Sequence, residues 1–219
     1  MLENLDRKFF ARDAVQVARS LLGCLLTRDL LHGKVISARI VETEAYRQDD
    51  PACHAYGNWQ RLQKGHKIAG RSEILFGEPG IAYVYMNYGI HWLFNVVCDC
   101  PGVGAAVLVR AVEPLEGLGK MLRNRGMQVP SPNVSNGPGK LSQALGIDGS
   151  FNGMNLLDEQ SSRLTLTKGR VRRSQVVTTT RIGISKARDR PWRFYLDGNP
   201  YVSRSNVNLQ FAANTAYGG

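Results

Sequence analysis

Residues 82–112 read AYVYMNYGIHWLFNVVCDCPGVGAAVLVRAV. Three apolar runs, 82–88, 92–98 and 106–112, are separated by Gly89 and by the segment Pro101 to Gly104. Runs of this length, rich in Val, Tyr and Phe and bounded by Gly or Pro, predict strands. Links this short allow only antiparallel neighbours, so the three form a meander. Working outward, residues 24–28 and 35–46 read as two earlier strands, and 164–167, 176–184 and 192–196 as three later ones. Helices are fewer. Asp13 is a candidate N-cap before Ala14, Val17, Ala18, Leu21 and Leu22 at helical spacing, and Gly23 ends that pattern. Pro114 is placed to open a helix reaching about Arg125, and residues 140–145 predict another. No βαβ rhythm is present. The expected fold class is α+β, a single domain with a curved, mostly antiparallel β-sheet and a few peripheral helices.

Residues 47–80 have no sustained periodicity and contain Pro51, Gly57, Gly65, Gly70, Gly77, Pro79 and Gly80. They predict a long loop with short helical pieces, a length that in a compact domain usually signals function or disorder. The 219 residues, 43% of them hydrophobic, suffice for one well-packed domain, expected over 1–204. The polar, Gly-ended stretch 205–219 predicts a disordered tail. No run reaches the roughly 18 apolar residues of a membrane helix. The charged start MLENLDRKFFARD has no signal-peptide core, so an intracellular protein is expected. Cys24, Cys53, Cys98 and Cys100 contain no C-x-x-C pair and read as free thiols. A zinc site could recruit Cys53, His54, Cys98 and Cys100, but their spacing fits no ribbon or finger.

The net charge is +10, and the excess is local. Residues 163–193 hold ten Lys or Arg against one acid, Asp189. A solvated basic face and a polyanion partner both account for this. Clustered positive charge favours the second, because it gains affinity by releasing phosphate counterions.

Candidate chemistry lies on the strands. In Ile40-Val41-Glu42-Thr43-Glu44-Ala45-Tyr46 alternation puts Glu42, Glu44 and Tyr46 on one face and Val41, Thr43 and Ala45 on the other. A carboxylate carried into an apolar interior needs a partner or a task. A structural salt bridge and a catalytic role both remain open for each Glu. Arg110, among seven apolar neighbours, is a natural partner, with Glu44 a candidate, although a solvent-facing Arg fits as well. Tyr83 and Tyr85 face one way, and Tyr83 reads as core. Tyr88 beside Gly89 can project from a hairpin tip as a wedge for a base stack. Asn95 is a polar residue in an apolar strand.

The ordered series Phe9-Phe10-Ala11-Arg12-Asp13, Leu21-Leu22-Gly23, Val41-Glu42-Thr43-Glu44-Ala45-Tyr46, Pro79-Gly80, Tyr83-Val84-Tyr85 and Tyr88-Gly89 resembles the alkyladenine (3-methyladenine) DNA glycosylase family. The series continues with Leu108-Val109-Arg110-Ala111-Val112-Glu113-Pro114, Gly137-Pro138-Gly139-Lys140-Leu141, Arg181-Ile182-Gly183-Ile184 and Trp192-Arg193-Phe194-Tyr195, and covers about residues 7–204. Each piece is weak alone; their number and order make the match specific. The resemblance implies Glu44 as general base for a water attacking C1′ of a flipped nucleotide. It implies Arg110 and the backbone carbonyl of Val202 as further contacts of that water. Tyr46 and Tyr85 would stack on the base, and His54 would read its edge. Asn95 would exclude the 2-amino group of guanine, and Tyr88 would fill the gap left in the helix. It further implies a monomeric, monofunctional hydrolase of base excision repair acting on double-stranded DNA with alkylated or deaminated purines. No metal, cofactor, lyase activity or membrane is expected. Residues 60–76 depart from the family pattern, with Arg71-Ser72-Glu73 in place of a Thr/Arg/Asn-type run. The competing reading is a non-catalytic RNA- or single-strand-binding module, which explains the basic and aromatic residues but leaves Glu44 and Arg110 without a task.

Overall fold

The structure, a computed structural model, describes residues 3–30, 33–158, 162–169, 171 and 175–203; the expected tail lies outside them. Among the described residues five α-helices, α1 (Arg7–Phe10), α2 (Ala14–Leu21), α3 (Tyr56–Gln63), α4 (Leu118–Asn124) and α5 (Pro138–Leu145), surround one curled antiparallel sheet. Its strands are β1 (Leu25–Asp29), β2 (Val35–Arg47), β3 (Ala82–Asn87), β4 (His91–Val97), β5 (Ala105–Glu116), β6 (Leu164–Thr167), β7 (Val176–Thr179) and β8 (Arg193–Leu196). The order is β3-β4-β5-β2-β1-β6, and β8, paired with β7, joins the far half of β2. The fold is therefore α+β, with the expected meander at its centre.

β2 organises the sheet. Its first half pairs with β1 and its second with β8, while β5 runs along its other edge. A strand that changes partner along its length curls the sheet. Between β2 and β5 the register slips three times, once at Ser37/Ala38 and twice in the middle: Ile40 opposes Val112, Glu42 opposes Ala111, and Thr43 opposes Val109. Val41 and Arg110 are left between these pairs, and such bulges bend a strand and re-aim side chains.

Both faces of the meander are covered, which is why its strands read as continuous apolar runs. Ala82, Val84, Phe94, Val96, Val107 and Val109 enter the main core, against which α2 and α5 pack. The alternate residues Tyr83, Val97 and Ala106 meet Cys53, Ala55, Leu75 and Phe76 in a second, smaller core. That core seats the 47–80 segment, whose helical pieces are α3 and a 3-10 turn, Arg71–Phe76.

Three expectations need correction. Pro114 does not open a helix: β5 continues to Glu116, and Pro114 opposes Ala38 beside a register shift, a position where proline is tolerated in a sheet. The helix begins at Leu118, after Gly117 turns the chain at φ 76°. The strand expected over 176–184 ends at Thr179, because the next residues leave the sheet for the site described below. The basic run is not one exposed face: Arg181 and Arg193 are buried, and Arg170, Arg172 and Arg173 lie outside the described residues. Among the described residues no helix is long and apolar enough to cross a membrane.

Two glycines report on this packing. A Cβ at Gly104 would lie 2.6 Å from both the Ala55 Cβ and the Phe76 ring, where the second core closes on the sheet. One at Gly57, in α3, would meet nothing within 4 Å. Gly104→Ala should cost about 1–3 kcal/mol through overpacking. Gly57→Ala should gain about 0.5–1 kcal/mol through helix propensity. Thermal melts check this, and a Gly104→Ala variant as stable as the parent would contradict the second core.

Candidate active site

The 47–55 segment, the β3–β4 hairpin, the middle of β5 and residues 182–186 enclose a cavity of about 530 Å³. Tyr46, His54, Tyr83, Tyr85, Tyr88, Asn95 and Arg110 all line it. The cavity thus gathers six of the eight expected site residues, and adds Tyr83, which the sequence assigned to the core.

Glu44 lies one layer behind the wall. It is fully buried and bonded to three groups that do line the cavity. Its Oε2 accepts from the Tyr46 hydroxyl at 2.8 Å and from Arg110 Nη1 at 3.2 Å, and its Oε1 accepts from the Ile182 N–H at 2.7 Å. Arg110 also donates through Nε to Glu42 Oε1 at 3.0 Å. Glu42 Oε1 takes two more bonds, from Arg193 Nε at 2.6 Å and Ser203 Oγ at 2.7 Å; its Oε2 takes the Ser203 N–H at 2.7 Å. On the other face of β2, Thr43 donates to the Ala18 carbonyl of α2.

A carboxylate offers about four lone-pair directions. On Glu42 three donors crowd Oε1 and one reaches Oε2; on Glu44 two donors share Oε2 and one reaches Oε1, so each carboxylate keeps an open direction, on Oε2 of Glu42 and on Oε1 of Glu44. What sets Glu44 apart is that all three of its donors, Tyr46, Arg110 and Ile182, line the cavity, whereas of the donors to Glu42 only Arg110 does. Burial alone would raise the Glu42 carboxyl, but Arg110, Arg193 and the two Ser203 bonds hold it below the ordinary range. Burial would lower the Arg110 guanidinium, and Glu44 and Glu42 outweigh this and raise it. Burial, then the Glu44 charge, pushes the Tyr46 phenol well up, while burial pushes Tyr83 and Tyr85 up to about 12. The phenols are therefore neutral donors and apolar faces.

The opposite wall is aromatic. The Tyr83 and Tyr85 rings stack with centroids 5.3 Å apart, and His54 meets Tyr85 edge-on at 4.5 Å. His54 Nδ1 and the Tyr83 hydroxyl share a hydrogen bond of 2.9 Å. Asn95 uses its amide nitrogen on the carbonyls of Tyr83 (3.1 Å) and Leu93 (3.4 Å). Tyr88 has φ 51° at the hairpin tip and is 87% exposed, next to Gly89 and to Ile90, which is 72% exposed. Val202 packs into the main core and does not line the cavity.

Arg181 fastens the remaining wall. It pairs with buried Asp50, donates to the carbonyls of Ala45 (3.0 Å) and Ala187 (3.2 Å), and lies over the Tyr46 and Trp192 rings. It thus ties the 47–55 segment to the loop that brings Ile182 to Glu44. The expected site set left out Glu42, whose role the sequence had left open between salt bridge and catalysis, and also Arg181 and Ile182; Arg181 carried a signal only as one charge in a basic run, and Ile182 acts through its backbone. Among the described residues no group of three or more His, Cys, Asp or Glu is placed to hold a metal, and burial pushes the Cys53 thiol up to about 12.

The site thus sets an aromatic-walled cavity against a buried, ion-paired carboxylate. The chain belongs to the methylpurine-DNA glycosylase family, whose sequence model matches residues 8–200. A relative from Salinibacter ruber, under the provisional name 3-methyladenine DNA glycosylase, is 47% identical over 204 residues, 92% of this chain and 97% of that protein. A relative of the same provisional name from Carboxydothermus hydrogenoformans is 45% identical over 91% of this chain and 98% of its own.

Arg71 supplies a test of the cavity wall. Its guanidinium lies 5.7 Å from the Tyr85 ring centroid. Burial, and then the Arg71 charge, holds the His54 imidazole below its ordinary value, which favours the neutral ring at pH 7. Arg71→Ala should therefore raise the His54 pKa toward the ordinary value, read by NMR titration. An unchanged titration would remove Arg71 from the cavity's surroundings.

Proposed function

We propose that this chain is a monofunctional DNA glycosylase that takes alkylated or deaminated purines from duplex DNA into the cavity and hydrolyses the bond to the sugar. The observation that carries the reading is the Glu44–Arg110 pair beneath an aromatic-walled cavity. An enzyme acting on a base inside a duplex must extrude it, at a cost of a few kcal/mol. Tyr88, exposed at the hairpin tip with Ile90 beside it, is the wedge that takes the vacated place in the stack. The flipped base enters between Tyr46 and the Tyr85–His54 wall. Electron-poor alkylated rings gain from aromatic faces by cation–π attraction. Asn95, rigidly bonded to the strand, limits which base edges fit.

The chemistry follows from charge. A purine alkylated at N3 or N7 is cationic on the sugar and leaves as a neutral base, so positive charge moves onto C1′ as the bond stretches. A fixed carboxylate close to that carbon is the stabilising group, in a site with little water to screen it. The open lone-pair direction of Glu44 takes a hydrogen bond from a water, and Arg110 and the Val202 carbonyl help to orient it. As the water oxygen attacks C1′, its proton passes to Glu44. The base departs with the glycosidic electron pair, an alkylated purine as the neutral base and an uncharged lesion by taking up a proton from solvent, leaving an abasic sugar. Lys186, which lines the cavity, and the exposed Arg71 would meet backbone phosphates.

Glu44→Gln should retain binding to a duplex containing 1,N6-ethenoadenine or hypoxanthine, and should slow single-turnover base release by about 10²–10⁴. Release within about threefold of the parent would exclude Glu44 as the base.

A further inference from the structure

Glu42 is fully buried one turn of strand alternation before Glu44, and its bonds reach three separate parts of the chain. It takes Arg110 Nε from β5, Arg193 Nε from β8, and both the N–H and hydroxyl of Ser203. Arg193 Nη2 in turn donates to the Ser203 carbonyl at 3.2 Å. Two consequences are geometric. A guanidinium is planar, so pinning Arg110 Nε on Glu42 fixes the direction in which Nη1 reaches Glu44. A peptide group is also planar, so pinning the Ser203 N–H on Glu42 fixes the direction of the Val202 carbonyl in the same plane.

We infer that Glu42 is the positioning residue of this site: it sets the aim of Arg110 at Glu44 and ties the segment after β8 to that pair through Ser203. The inference rests on the proposed function, since it gives Glu42 its effect through Glu44. Of the donors to Glu42 only Arg110 lines the cavity, so Glu42 reaches the site through Arg110 and not directly. A charge buried only for stability would not need partners from β5, β8 and the segment after β8 at once. Replacing a whole buried ion-paired cluster by well-packed apolar residues is often neutral or stabilising, so stability alone does not call for one here. Here one of those partners, Arg110, also bonds Glu44, and another, Arg193, lies opposite Glu44 in the β2–β8 register.

The test is a double-mutant cycle read by single-turnover base release, with binding of an uncleaved lesion duplex measured in parallel to count folded protein. Glu42→Gln should keep duplex affinity within about threefold and slow release by about 30-fold or more. Glu42→Asp, which keeps the charge but shortens the reach, should recover part of the loss. In a Glu44→Gln background, Glu42→Gln should change the residual rate by less than about threefold, because residues acting as a unit are non-additive. A role in stability alone would lower the folded fraction equally in both backgrounds and leave the rate per bound complex unchanged; that outcome overturns the inference. If Glu42→Gln fails to fold, Ser203→Ala removes one of the four bonds, and release by its folded fraction at the parent rate overturns it equally. A Glu44→Gln protein that is fully active would instead refute the proposed function, whereas an inactive Glu44→Gln with a fully active Glu42→Gln refutes only the positioning role.

Discussion

Carboxylates cannot be buried in an apolar interior without compensation, and the construction of this molecule follows from that constraint. Glu42, Glu44 and Asp50 are all fully buried along one stretch of chain, and each is matched by an arginine from elsewhere in the sequence. Each ion would cost several kcal/mol to desolvate alone. Together with Arg110, Arg181 and Arg193 they make a balanced internal network of three negative and three positive side chains. The network joins β2 to β5, to β8 and to the loop after β7. It therefore serves as the internal frame of the site, in the place where an apolar core would otherwise sit.

The sheet delivers these groups because both of its faces are used. The main core holds the meander from one side, and the smaller Tyr83–Val97–Ala106 core seats the 47–80 segment on the other. The cavity opens where that second core stops, so its walls are rigid strands on one side and anchored loops on the other. Arg181 is central to this: with one guanidinium it fixes Asp50, the Ala45 carbonyl and the Ala187 carbonyl. Precise placement of an acid–base group requires supports of this kind, since misplacement by about an ångström is costly in rate.

Much of the scaffold was legible in the sequence, for identifiable reasons. The helix after Asp13 has a capping side chain that accepts from Val15 N and an unbroken apolar stripe, so periodicity found it. The meander was legible because its turns are short and its strands apolar. Pro114 misled because its tolerance depends on a register shift between β2 and β5, which no local pattern encodes. Residues 180–184 misled because Ile182 and Ile184 are apolar for the sake of the cavity wall and not of a sheet. The alternation of Glu42 and Glu44 with Thr43 was readable, and the contacts to Arg110 on one face and α2 on the other follow it. That Arg110 would bridge both carboxylates was not, because the bulge that places it is a tertiary feature. Nor could the sequence show that two arginines of the basic run turn inward.

The central claim is that a purine released from duplex DNA occupies this cavity with its sugar carbon facing Glu44 and Arg110. The most direct measurement is the crystal structure of the Glu44→Gln variant bound to a duplex carrying an uncleaved 1,N6-ethenoadenine. The account predicts the modified base between Tyr46 and the Tyr85–His54 wall, Tyr88 in the vacated stack, and C1′ turned toward residue 44 and Arg110. A complex in which the base remains stacked in the helix, or enters the protein away from Arg110, would contradict it.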